Sequence, residues 1–134
     1  ERKSRYWIMQ RVPRRDSETV SNAIIDALHP FPSQLLKSIT HDNGGEFAKH
    51  KAVEEKLGLP AYFCEPHSPW QRGAIENGNG RVRIDLPRRT KLENYTDRDI
   101  QDLALLYNNT PRKCLGYRTP AEAIINEIGA ALEM

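Results

Sequence analysis

At 134 residues the chain is sized for one domain and can bury roughly two thirds of its unfolded surface. Apolar residues make up 38% and charged residues 28%; no apolar run nears the ~20 residues a membrane-spanning helix needs, and no signal peptide opens the chain. Cys64 and Cys114 stand far apart with no CxxC pair, which argues against a disulfide scaffold or a zinc site and makes a reducing cytoplasm the expected compartment.

The net charge of +2 decides little, but its distribution is uneven. Arg2, Lys3, Arg5, Arg11, Arg14 and Arg15 crowd the first fifteen residues, and Arg72, Arg81, Arg83, Arg88, Arg89 and Lys91 form a second basic stretch. Acidic residues gather at Glu54–Glu55 and from Asp97 to Asp102. Such segregation suits a face turned to a polyanion, and it also suits solvated charge without a partner.

In chain order, alternation over Tyr6 to Val12 predicts a strand, ended by Pro13. Asp16 is a candidate N-cap for a helix through about Leu28, with Val20, Ala23, Ile24, Ala27 and Leu28 as its apolar stripe. A short strand over Leu35 to Thr40 runs into His41-Asp42-Asn43-Gly44-Gly45. A helix carrying Phe47, Val53 and Leu57 stops at Gly58, and Ala61 to Cys64 reads as a third strand. After the loop His67 to Gly73, a helix is expected from about Ala74 to Leu86. Thr96-x-x-Asp99 opens the next helix, and Thr119-Pro120-Ala121-Glu122 starts the last with an N-cap, a first-turn proline and a capping glutamate. Strands alternating with helices predict an α/β domain over residues 1–134, although three strands make a thin sheet for five helices.

Two carboxylates carry the chemistry. Asp42 follows the C-terminal end of a short strand, where catalytic groups collect in α/β sheets; an aspartate in Asp-Asn-Gly also commonly serves only an Asx turn. Glu76 comes 34 positions later and shares a helix face with Asn79, Gly80 and Arg83. That face has no apolar residue, so it is not a packing face. Arg83 sits about 10 Å beyond Glu76 at 1.5 Å per residue, placed to grip a phosphate. Gly78 and Gly80 each cost about 0.8–1 kcal/mol within a helix, which suggests close approach of a ligand backbone. In the preceding loop, Trp70, Gln71 and Arg72 are groups that stack on bases and bind phosphates, or else Trp70 anchors the loop to the core.

The runs His41-Asp42-Asn43-Gly44, Ser68-Pro69-Trp70-Gln71-Arg72-Gly73-Ala74-Ile75-Glu76-Asn77 and Asn108 to Glu122 together resemble the insertion sequence 30 family of bacterial transposases, within the retroviral integrase superfamily. The resemblance covers essentially the whole chain and keeps the order of motifs. It implies a ribonuclease H-like fold, a mixed sheet flanked by helices. It also implies a DDE triad binding two divalent metals, Mg²⁺ or Mn²⁺, for DNA cleavage and strand transfer in transposition. Asp42 matches the second Asp of that triad and Glu76 its Glu, while Arg83 matches a basic residue seven positions on. No residue matches the first Asp, so the first strand of the fold is expected to lie outside this chain, which alone is expected to be inactive. By resemblance the partners are transposon ends and target DNA, contacted by Trp70, Gln71, Arg72, Asn79, Arg81 and Arg83, with self-association. No organic cofactor and no membrane is implied, and the setting is the bacterial cytoplasm and its nucleoid. The alternatives are a non-catalytic DNA-binding remnant of a truncated element and a ribonuclease H-like hydrolase without strand transfer.

Overall fold

The computed structural model describes residues 1–65 and 73–133, and among these the chain forms five α-helices and two short β-strands. They fall into two compact units, Glu1–Arg11 with His67–Ile124 and Val12–Pro66 with Ile125–Met134. Among the described residues no helix is long and apolar enough to cross a membrane.

The unit built on residues 12–66 starts with helix α1 (Ser17–Leu28). Asp16 caps it: its carboxylate accepts from the Thr19 N–H at 2.8 Å and the Thr19 hydroxyl at 2.9 Å, satisfying a backbone donor of the first turn. Strand β1 (Ile39–His41) is shorter than the sequence predicts, because Leu35 and Leu36 close turns onto the Pro32 and Ser33 carbonyls instead of extending. The helix expected to carry both Phe47 and Leu57 is divided in two. Gly45–Phe47 forms a single 3₁₀ turn, and α2 (His50–Leu57) follows. Gly58 ends α2 in the left-handed conformation at φ +66°, its N–H closing on the Glu54 carbonyl at 2.8 Å. Strand β2 (Ala61–Phe63) returns parallel to β1, pairing Ile39 with Ala61, Thr40 with Tyr62 and His41 with Phe63. The result is a β-α-β unit in which α2 makes the crossover that parallel pairing requires. Helix α1 packs on α2 and on the 3₁₀ turn, and Val53 of α2, 1% exposed, is the unit's most buried apolar side chain.

In the other unit lie α3 (Gly73–Asp85), α4 (Asp97–Asn108) and the first turn of α5 (Pro120–Leu132). Both predicted starts hold. Thr96 and Asp99 form a reciprocal capping box at 3.1 and 2.8 Å, and the Glu122 N–H donates to the Thr119 hydroxyl at 3.1 Å.

The strand predicted over Tyr6 to Val12 is not formed. No strand pairs with the segment among the described residues; the Tyr6 peptide groups are met by Ser4 and the Glu1 amino group, and those of Trp7 and Met9 by side chains of α4. The Asn108 amide brackets Trp7, accepting from its N–H at 2.8 Å and donating to its carbonyl at 2.9 Å. Gln101 donates to the Met9 carbonyl at 2.7 Å. Asn108 is 4% exposed, so breaking the pair would strand buried polar groups.

Trp7 also explains a glycine. A Cβ added at Gly78 of α3 would fall inside the Trp7 indole ring, whereas one at Gly80 would meet only open space. Gly78 is therefore a packing requirement rather than a site of ligand approach. Opposite effects follow for the two glycines. Gly78→Ala must displace a ring whose backbone is already fixed by Asn108, at a cost of about 1–3 kcal/mol from overpacking that exceeds the gain in helix propensity. Gly80→Ala is expected to stabilise by up to about 1 kcal/mol. Urea unfolding midpoints should move in opposite directions, and a common direction would refute the Trp7 contact.

Candidate functional site

Asp42 is presented by the end of the parallel strand pair. Its Oδ1 accepts from the Gly44 N–H at 2.9 Å, which forms the Asx turn and turns the chain sharply away from β1. The neighbouring Asn43 side chain donates to the Cys64 carbonyl at 2.8 Å, and the Cys64 N–H donates to the His41 carbonyl at 2.9 Å. Asp42 thus leaves a backbone pinned to both strands.

Next to it lies an ion pair. Arg15 binds Glu46 at 2.9 Å, and the Glu46 side chain folds over Gly44, where a Cβ would collide with its carboxylate. The hydrogen bond that Arg15 donates to Glu46, then the Glu46 charge and more weakly that of Asp42, raise the Arg15 pKa above its usual value. Glu46 is lowered in turn, first by its own backbone N–H and then by Arg15.

Beneath Asp42 sits an aromatic box. His41, 5% exposed, stacks on Phe47 with ring centres 4.5 Å apart and tilts against Phe63 at 5.5 Å, while His50 meets Phe63 edge-on at 4.8 Å. The buried His41 Nε2 has no hydrogen-bond partner among the described residues. Burial pushes the His41 pKa down and the nearby His50 adds to this, against the opposing charges of Asp42 and Glu54.

On α3, Glu76 in the first turn and Asn79, Gly80 and Arg83 are all exposed. The Arg83 guanidinium makes only a long contact to the Leu86 carbonyl, at 3.4 Å. Tyr107 of α4 ties down the far end of the helix, its hydroxyl donating to the Arg81 carbonyl and to Asp85 at 3.3 Å. Trp70, Gln71 and Arg72 lie outside the described residues.

One feature of this unit escaped the sequence. A cleft of about 490 Å³ is lined by Arg5, Asn77, Arg81, Arg112 and Lys113, with Cys114 at its edge. Arg5 and Arg81 belong to the two basic stretches of the sequence, whereas Arg112 and Lys113 form a separate basic pair ahead of Gly116 that no spacing links to them.

Asp42 and Glu76 are hard oxygen donors of the kind Mg²⁺ and Mn²⁺ take. They belong to different units, and among the described residues no three His, Cys, Asp or Glu side chains gather as a metal-ligating group.

No protein-family model matches the chain. It is 45% identical over 132 residues, 98% of its length and 34% of the relative's, to transposase InsI for insertion sequence element IS30A of Escherichia coli. It is 39% identical over 131 residues (96% of the chain, 40% of the relative) to the transposase for insertion sequence element IS4351 of Bacteroides fragilis. It is 34% identical over 124 residues (92% and 37%) to the transposase for insertion sequence element IS1086 of Cupriavidus metallidurans. Identity at this level along nearly the whole chain makes it a homologue of insertion-element transposases. Within that class its homologues are the insertion sequence 30 transposases, of whose length it spans about a third.

Acid should weaken the His41 box. With a folded pKa below the ordinary value near 6.5, the native state binds fewer protons than the unfolded chain as pH falls through that range, so stability is lost toward acid. Unfolding midpoints should drop between about pH 7.5 and pH 5. His41→Leu should flatten part of that slope; an unaltered slope would assign the pH dependence elsewhere.

Proposed function

We propose that this chain forms part of the catalytic core of a DDE-type transposase with a ribonuclease H-like fold, cleaving DNA and transferring strands during transposition. The observation that carries this reading is 45% identity to InsI across 98% of the chain. The β-α-β unit supports it, since it delivers Asp42 beyond the C-terminal end of a parallel strand, where α/β proteins hold catalytic groups.

Asp42 and Glu76 are the metal-binding carboxylates in this scheme. The Asx turn to Gly44 fixes one lone pair of Asp42 and so sets the direction of the rest of the group. Glu76 projects from the exposed face of α3, and Arg83, two turns on, holds a phosphate of the strand being cut. Mg²⁺ or Mn²⁺ held by these carboxylates would supply Lewis acidity for displacement at a phosphodiester. A third carboxylate, from outside these 134 residues, completes the set. Transposon ends and target DNA are the substrates, met by Asn79, Arg81 and Arg83 along α3 and by Trp70, Gln71 and Arg72 before it. The working protein self-associates on paired ends in the bacterial cytoplasm, at the nucleoid.

In the complete transposase, Asp42→Ala or Glu76→Ala is expected to reduce nicking of a transposon-end duplex by more than the roughly 100-fold that loss of an outer-shell partner causes. Thermal unfolding should be little changed. Nicking retained at wild-type rates removes these residues from the site. The 134-residue chain alone is expected to show no Mg²⁺-dependent cleavage. A joining assay with a precleaved donor end separates a transposase, which joins it to target DNA, from a hydrolase, which does not.

A further inference from the structure

The cationic cleft in the α3 unit calls for a ligand. Arg5, Arg81, Arg112 and Lys113 line one cleft of about 490 Å³ together with Asn77, and none of the described residues that line it is acidic. Ion pairs among the described residues go to Arg11, Arg14, Arg15 and Lys49; none goes to these four. Like charges brought together without counter-charge repel one another, so an anion in the cleft would stabilise the arrangement.

The backbone there is also built for the purpose. Arg5 holds a left-handed conformation at φ +61°, unusual for a residue with a side chain, with the Glu1 carboxylate accepting from the Lys3 and Ser4 N–H groups just before it. On the other wall Gly116 and Tyr117 are both left-handed, at φ +64° and +66°, and the Arg118 N–H closes on the Leu115 carbonyl at 3.3 Å. This tight turn folds back so that the Tyr117 N–H reaches the Arg112 carbonyl at 2.9 Å, setting Arg112 and Lys113 at the cleft. Such strained positions persist where the surroundings over-determine them, often at ligand clamps.

We infer that this cleft is a sequence-independent clamp for a phosphodiester of the DNA backbone, separate from the Glu76 face of the same helix. The inference rests on the proposed transposase function for its choice of polyanion. Asn77 and Arg81 each lie one residue past Glu76 and Gly80, about 100° further round α3. A strand whose scissile phosphate faces Glu76 and Arg83 would continue round α3 to reach Arg81. Planar guanidiniums from three separate segments, with the Asn77 amide, suit the two non-bridging oxygens of a phosphodiester.

The test is binding of the 134-residue chain to short duplexes of unrelated sequence, followed by fluorescence anisotropy across a salt series. Arg112→Gln/Lys113→Gln replaces two cleft side chains that the proposed substrate face on α3 does not use and should leave the fold intact, as checked by thermal unfolding. It is expected to weaken binding about tenfold, equally on every duplex, and to lower the slope of log K against log salt by about two, near 0.9 per lost contact. Lys113→Glu alone, an exposed charge reversal, should act in the same direction if the double variant fails to fold. Unchanged affinity and slope overturn the clamp while leaving the catalytic assignment to the Asp42 and Glu76 variants. Displacement of the duplex by millimolar inorganic phosphate at matched ionic strength would make this a free-anion site instead. Failure of the wild-type chain to bind any duplex at low salt also overturns it.

Discussion

Every backbone N–H and C=O taken from water needs a partner, and the extended segment through Trp7 meets that demand in an unusual way. The Asn108 side chain offers one acceptor and one donor, the same pair of groups that a neighbouring strand would present, and both close on Trp7. Gln101, two helical turns earlier on α4, does the same for Met9 with a single bond. Trp7 is thereby held with its ring against α3 at Gly78, where no side chain intervenes. Tyr107, next to Asn108, binds the α3 backbone at Arg81. Helix α4 therefore positions both the extended segment and α3, and the exposed faces of α3 depend on that bracing.

The unit around Asp42 is organised by a different constraint. Three-residue strands offer few ladder bonds, so the sheet is prolonged by groups just outside it: the Cys64 N–H on the His41 carbonyl and the Asn43 side chain on the Cys64 carbonyl. Asp42 is flanked by residues that finish the sheet. His41, the residue before it, stacks on Phe47 and tilts against Phe63, and among the described residues its buried ring Nε2 meets no hydrogen-bond partner. That is a poor choice for stability alone.

Much of this was legible in the sequence wherever the cause is local. Asp16, Thr96, Thr119 and Gly58 act within four residues of themselves, and each does what its residue type predicts. The polar face of α3 was equally readable, since 3.6-residue periodicity requires no knowledge of the rest of the chain. Tyr6 to Val12 was misread because alternation reports an extended backbone without revealing whether a partner strand exists. Gly78 was misread because its explanation, Trp7, lies far away in sequence. The cleft was missed for the same reason: Arg5, Arg81 and Arg112 come from three separated segments, and no spacing rule connects them. The roles of Asp42 and Glu76 came from resemblance to a family, and geometry within each unit adds their presentation.

The meeting of Trp7 with Gly78 has a mechanical meaning as well. Counting about 100° per residue, Gly78 lies on the side of α3 away from Glu76, Gly80 and Arg83. Rolling the helix by one position either way would bring Asn77 or Asn79 under the indole, and neither fits where glycine does. The ring behaves as a key in a keyway, and the missing side chain is the slot. It sets the azimuth of the whole helix, so the carboxylate on the front is aimed by an absence on the back.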